Sequence, residues 1–309
     1  FAAVAAAAGD GNNDFYDDTE LHDLRGPDIV IDGEVAGPGP AGTSGLPLRM
    51  LMRREAVIDG EGDRFIGAYR YDGWSLFDLL RETTVEKRNG EEFGRVIDLL
   101  VVVSNDRGEK VVLSWGEIFY PTAPHRIMIA TRVARIVPSK TGEQWPLPET
   151  TRLVVAGDLH AERSIEEPSR ITVISQPLSF PDRRDVEPLY SKSIRVVRGG
   201  ETIGMIAPPL PAVPEGAYRG IYYGRGRGFH AAATFRGPLL AGFLAPYLPV
   251  DRELLRRGYI VIAAPDGYRV TVSCAELLDR NDGREFLLID RGAGEYGGRL
   301  SIHPPMDFF

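Results

Sequence analysis

Residues Gly60–Leu80 read GEGDRFIGAYRYDGWSLFDLL, and residues Gly224–Leu244 read GRGRGFHAAATFRGPLLAGFL. Displaced by 164 positions, the two stretches align without a gap. Gly60, Gly62, Phe65, Ala68, Gly73, Leu76 and Leu80 then fall on Gly224, Gly226, Phe229, Ala232, Gly237, Leu240 and Leu244. A second block matches at an offset of 159, where RGEKVVLSWGEIF (Arg107–Phe119) meets DGYRVTVSCAELL (Asp266–Leu278). Gly108/Gly267, Val111/Val270, Ser114/Ser273 and Glu117/Glu276 are identical there, and the five-residue change of offset belongs in a loop. A period near 160 exceeds that of solenoid repeats, whose units run to roughly 50 residues, and suits a duplicated domain of ordinary size. The expected organisation is a flexible leader 1–24, a first copy 25–175, a Pro- and charge-rich linker 176–190 and a second, C-terminally shortened copy 191–309.

Within each copy the pattern predicts an α+β fold in which sheet predominates. Asp28–Val35 and Ser193–Arg198 carry the apolar character of opening strands. Ser75 with Asp78 supplies an N-cap and a capping acid for a helix whose apolar face is Leu76, Leu79 and Leu80. Its counterpart is entered through Gly237 and Pro238 and presents Leu240, Phe243 and Leu244. A hairpin follows in each copy, Ile97–Val103 returning through NDRG to Lys110–Ser114, and Tyr259–Ala264 returning through PDG to Tyr268–Ser273. Both returning strands end in a capping box, Ser114-x-x-Glu117 and Ser273-x-x-Glu276. A further strand comes next, HRIMIAT (125–131) in one copy and EFLLID (285–290) in the other.

The composition, 43% apolar and 26% charged, is that of a globular chain. No apolar run is long enough to span a bilayer, so no transmembrane segment is expected. The net charge of -8, with no basic run interleaved with aromatics, argues against a nucleic-acid partner. The opening FAAVAAAAGDGNND reads as the small-residue end of a secretory signal, which favours a periplasmic or secreted protein; an Ala-rich tail is the competing reading. Cys274 stands alone and forms no internal disulfide. Asp10, Asn12 and Asp14 have the spacing of calcium ligands, but Phe15 and Leu21 occupy the positions that need Gly and Glu, so the stretch reads as solvated chain.

The order of these motifs resembles the oxidoreductase molybdopterin-binding domain, the fold of sulfite oxidase and its bacterial relatives. Asp72–Leu80 stands for that family's "GV-x-L-x-x-LL" helix, Asp106–Ser114 for its "DGY" hairpin, and Arg152–Asp158 with Arg170–Val173 for its closing segment. The second copy carries the first two motifs, with Asp266–Tyr268 as a DGY, and stops before the closing strand. The resemblance implies a molybdenum ion held by a pterin dithiolene and one protein cysteine. That cysteine lies between the first strand and the helix. Here the stretch is Leu46–Tyr71, which offers Met50, Met52, Arg53, Arg54 and Glu55 but no thiol. Cys274 instead takes the position of Trp115 in the first copy and reads as a small apolar residue at a helix start.

The local candidates for binding lie in GRGRGFH. Gly224, Gly226 and Gly228 let backbone amides approach an anion, and Arg225 and Arg227 would neutralise a pterin phosphate or another small acid. A flexible, solvated loop is the simpler reading of the same residues. Glu61 and Asp63 replace the arginines in the first copy, so only the second copy is expected to bind there. His230 abuts this loop. His160 follows Gly157 and Asp158 in the loop that the resemblance places near the cofactor, whereas His125 reads as a strand-edge residue. Hydrolase and nucleotidase signatures are absent from the sequence.

Three readings follow. One is a tandem, molybdopterin-domain-like binding or structural module without molybdenum catalysis and without a bound cofactor, which the missing thiol favours. The others are an active molybdopterin-dependent oxidoreductase using a non-cysteine site, and a protein-interaction domain.

Overall fold

A computed structural model describes residues 17–18, 20–60, 62–137, 143–180, 191–224, 228–281, 286–290 and 300–303. The N-terminal half runs through β1 (Asp17–Asp18), β2 (His22–Asp23), β3 (Val30–Gly33), β4 (Gly39–Pro40), a long hairpin β5 (Arg49–Asp59) and β6 (Gly62–Ser75), and helix α1 (Leu76–Leu80). It continues with the hairpin β7 (Leu99–Ser104) and β8 (Lys110–Ser114), helix α2 (Trp115–Phe119), a 3-10 turn Pro124–Arg126, β9 (Ile127–Val137), β10 (Arg152–Val155) and β11 (Arg170–Ser175). The C-terminal half comprises β12 (Ile194–Arg198), β13 (Glu201–Ile206), the hairpin β14 (Glu215–Gly224) and β15 (Gly228–Pro238), and helices α3 (Leu240–Leu244) and α4 (Arg252–Arg257). The hairpin β16 (Tyr259–Ala263) and β17 (Arg269–Ser273), helix α5 (Cys274–Leu278), β18 (Leu287–Asp290) and β19 (Leu300–His303) complete it. Sheet predominates, since among the described residues every α-helix is five or six residues long.

Two sheets form the N-terminal half. In the first, β9 is central and antiparallel to β6, β10, β1 and β2, with β5 beyond β6 at the edge. In the second the order is β4-β3-β11-β7-β8, with only β3 and β11 parallel. The period-2 geometry of a strand explains how β9 serves two cores at once. Ile127 and Ile129 face the space between the sheets, where they meet Leu76, Leu80, Val101, Leu113, Trp115 and Ile118. Met128 and Ala130 face the other way, against Leu24, Tyr69, Tyr71 and Val154.

Local chemistry sets the helix starts. Ser75 Oγ accepts from Asp78 N at 3.0 Å, and both capping boxes are formed, Ser114 with Glu117 and Ser273 with Glu276. Helix α3 begins two residues later than a Pro at its first position suggests: Pro238 closes β15 and Leu239 is the N-cap. His125 is not in a strand, because Pro124 opens a 3-10 turn whose fixed φ delays β9 to Ile127. Helix α4 has no forerunner in the sequence reading. It is capped by Asp251, whose Oδ1 accepts from Leu254 N at 2.7 Å.

Corresponding elements recur in the same order along the chain. Five-residue α1 and α3 each follow a long hairpin, and α2 and α5 each follow a short one. A Cβ at Gly73 would meet Ile129 O at 2.1 Å, and one at Gly237 would meet Leu288 O at 2.8 Å. Both glycines therefore admit the backbone of the next strand. Among the described residues no helix is long and apolar enough to cross a membrane.

Candidate functional site

The connection from β10 to β11 buries four charged or titratable side chains within six positions: Asp158, His160, Glu162 and Arg163. Burial of charge at this density is unfavourable unless every group finds a partner. Arg163, 1% exposed, finds three. Its guanidinium grips Asp158 in bidentate fashion, Nε to Oδ2 at 2.7 Å and Nη2 to Oδ1 at 2.6 Å. It also donates to Glu117 Oε1 at 3.0 Å and to Ser273 Oγ at 3.1 Å. Burial opposes its charge, but Asp158 and Glu117 outweigh that and hold the pKa well above the ordinary arginine value.

The contact with Ser273 crosses between the halves, as do several neighbours. Ser114 Oγ donates to Glu276 Oε2 at 2.8 Å, so the capping glutamate of α5 is bound to the capping serine of α2. His160 meets Asp279 twice, through N to Oδ2 at 3.2 Å and Nδ1 to Oδ1 at 2.6 Å, while Nε2 lies 2.9 Å from Asp63. Glu162 accepts from Ile58 N and from Arg252 Nε, both at 2.7 Å. From the other side Arg269, also 1% exposed, donates to Asp98 at 3.1 Å and Glu92 at 2.8 Å, with its guanidinium 4.7 Å from the Phe93 ring centre. Asp98 in turn accepts from Lys87 Nζ at 2.6 Å.

Beside Arg163 a small cleft is lined by Glu117, Asp158, Glu276, Arg126 and Arg280. Its cavity volume of about 60 Å³ holds one or two waters or a small ion, since a water occupies about 30 Å³ of liquid. Drug-sized or cofactor-sized ligands take pockets of about 300–1,000 Å³. Glu117, Asp158 and Glu276 all accept hydrogen bonds from within the network, so they serve to hold Arg163 and the helix starts.

Ser75, Asp78 and His125 also meet, yet not as a relay. Ser75 Oγ is 3.0 Å from His125 Nδ1 and 2.8 Å from Asp78 Oδ2, and that same Nδ1 is 3.4 Å from Asp78. A catalytic triad needs serine and carboxylate on opposite nitrogens of the ring. The group is instead an N-cap braced by Arg49, which donates to Asp78 at 2.8 Å.

Of the binding candidates, Arg225, Gly226 and Arg227 lie outside the described residues. Gly224 and Gly228 pair with each other where β14 meets β15, and His230 lies within β15. His160 is drawn instead to Asp279 and Asp63. The sequence reading missed Arg163 as the centre of the site. Of the charges in the run AERSIEEP, Glu162 and Arg163 are buried while Glu166 and Glu167 reach the surface, a difference the sequence alone does not mark.

The cysteine that the resemblance implies would fall within Leu46–Tyr71. The stretch Leu46–Tyr71 forms most of β5 and β6 and holds no cysteine. Cys274 is 1% exposed at the first residue of α5, and burial pushes its thiol up to about 12. Its Sγ sits where a Cβ on Gly258 would be only 2.7 Å away. A thiol so enclosed stays protonated, whereas a metal needs the thiolate. No family model, no curated protein and no solved structure matches this chain.

Proposed function

We propose that this chain is a non-catalytic binding or structural module, exported from the cytoplasm. In this reading it consists of two diverged copies, 25–175 and 191–309, of a molybdopterin-binding-domain-like fold. The recurrence of hairpin, short helix, hairpin and capped helix supports the two-copy part, as does the matched approach of Gly73 to Ile129 O and of Gly237 to Leu288 O. The Ala-rich opening stretch supports export. The observation that carries the non-catalytic part is the state of the one thiol, enclosed, protonated and remote from Leu46–Tyr71 in the sequence. The polar network between the halves supports the same reading, because its carboxylates hold Arg163 and two helix starts in place. Metal analysis of protein purified from its native host tests this. The expected result is neither molybdenum nor tungsten; a stoichiometric amount of either overturns the reading.

A further inference from the structure

We propose that His160 is a pH-sensitive clasp: with both ring nitrogens protonated it ties the end of the β5–β6 hairpin to the C-terminal half through Asp63 and Asp279, and on losing one proton it keeps Asp279 and releases Asp63. Three separate parts of the chain meet at this ring. Asp63 comes from the start of β6, His160 from the connection between β10 and β11, and Asp279 from the residue that follows α5. A protonated imidazole donates from both nitrogens, whereas a neutral one has a single N–H, so only the charged ring holds two carboxylates at once.

The backbone decides which contact gives way. On the Asp279 side Leu159 N donates to Asp279 O at 2.6 Å, Asn281 N donates to Gly157 O at 2.9 Å, and Asp158 forms a bridge with Arg280. Main-chain bonds therefore keep those two segments together whatever the ring does. The Asp279 side chain is 4% exposed, and leaving a buried carboxylate without its donor costs more than returning an exposed one to water. Asp63 is the exposed one, with 65% of its side chain open to solvent. The hairpin is anchored as far as Ile58, through Ala161 N to Ala56 O and Ile58 N to Glu162 Oε1, both at 2.7 Å. Beyond Ile58, and apart from the edge-on packing of Phe65 against Trp145, the contact of Asp63 with His160 is the only tie among the described residues from the hairpin end to another part of the chain.

The other charges around the ring are already engaged and do not replace the lost proton. Arg53 donates to the His160 carbonyl at 2.6 Å, Asp158 is gripped by Arg163, Glu162 holds Arg252 and its carbonyl accepts from Arg256, and Arg64 donates to Asp59 at 3.2 Å. Burial disfavours the charged ring, but its bonds to Asp279 and Asp63 outweigh burial and keep the proton above pH 6.5. The clasp is thus closed near pH 6.5 and opens as pH rises through the raised value of His160.

Amide exchange of the full chain from pH 6.5 to 9, expressed as protection factors so that the intrinsic pH dependence is removed, tests this. Protection at Asp59, Gly62 and Arg64, at the hairpin end, is expected to fall about five-fold, as the loss of one hydrogen bond to a charged group at a wet site implies. Leu51 and Tyr71, paired near the hairpin root, should stay unchanged. Asp63→Asn, whose amide accepts from a protonated Nε2 and donates to a bare one, should abolish the fall. Nitrogen shifts of the His160 ring should place the remaining proton on Nδ1 at pH 9. A flat profile in the native protein overturns the proposal, as does an Asp63→Asn variant that keeps the fall or a neutral ring protonated on Nε2. An equal loss of protection at Leu51 and Tyr71 also overturns it, since the stability of the whole chain and not the clasp then sets the exchange.

Discussion

His160 Nδ1 lies 2.6 Å from Asp279 Oδ1, and the two residues come from opposite halves of the chain. On its far side the ring faces Asp63 at 2.9 Å, while the His160 carbonyl accepts from Arg53 at 2.6 Å. Burial alone would lower the His160 pKa; its hydrogen bonds to Asp279 and Asp63 outweigh burial and raise it above the ordinary 6.5. Asp279 is pushed up to about 6, first by burial and then by the charge of Asp158.

Raised values mean that the folded protein holds these protons more tightly than the unfolded chain. The stabilisation is complete below the unfolded values and is lost as pH rises through about 6 for Asp279 and through the higher folded value for His160. Urea unfolding followed from pH 5.5 to 9 should therefore show stability falling, by on the order of 1 kcal/mol from Asp279 and further as His160 loses its proton. His160→Asn keeps a donor toward Asp279 without a titrating ring and should flatten the His160 part of the decline. An unchanged slope in that variant would show that the pair does not control it.

Arg163→Met should cost about 3–5 kcal/mol, because Asp158 and Glu117 stay buried without their counter-charge. Arg163→Lys should recover only part of this, since an ammonium does not reproduce the paired contacts to Asp158. Denaturant midpoints at pH 7 measure both. A loss below about 1 kcal/mol for the methionine variant would mean that the network contributes no more than a surface ion pair.

Gly73→Ala and Gly237→Ala test close strand approach. The added methyl meets a backbone oxygen at 2.1 Å in the first case and at 2.8 Å in the second, so both should destabilise, position 73 more than 237. Overpacking of this kind costs about 1–3 kcal/mol. Thermal melting of the two variants side by side gives the ranking.

Cys274 should resist a disulfide reagent such as Ellman's at pH 8 in the native protein and react fully once the chain is unfolded. Its enclosure and its thiol near 12 leave almost no thiolate at that pH. Fast native labelling would place the thiol in an open environment and reopen metal ligation.

Periodic and capping signals made much of the fold legible in the sequence. Ser114-x-x-Glu117 and Ser273-x-x-Glu276 announced two helix starts, because a capping box is a contact within four residues of chain. Helix α4 was missed although Asp251 and Gly258 bracket it, since six residues carry too little apolar periodicity to stand out. The site was less legible for a different reason. Arg163 and Ser273, or His160 and Asp279, are more than a hundred positions apart, and sequence spacing is silent about contacts made by folding one half onto the other. Glu117 and Glu276 were correctly read as caps, but each also accepts a bond from outside its own box.

The crossed caps bear on how the molecule melts and how it drifts. Ser114 donates to the glutamate of the capping box that starts α5, and Arg163 reaches that box's serine, so the start of this helix is braced by side chains of the other half. Heating should then produce one calorimetric endotherm instead of two, with the van't Hoff and calorimetric enthalpies in agreement. At these four side chains a change in either half of the chain is felt at once in the other.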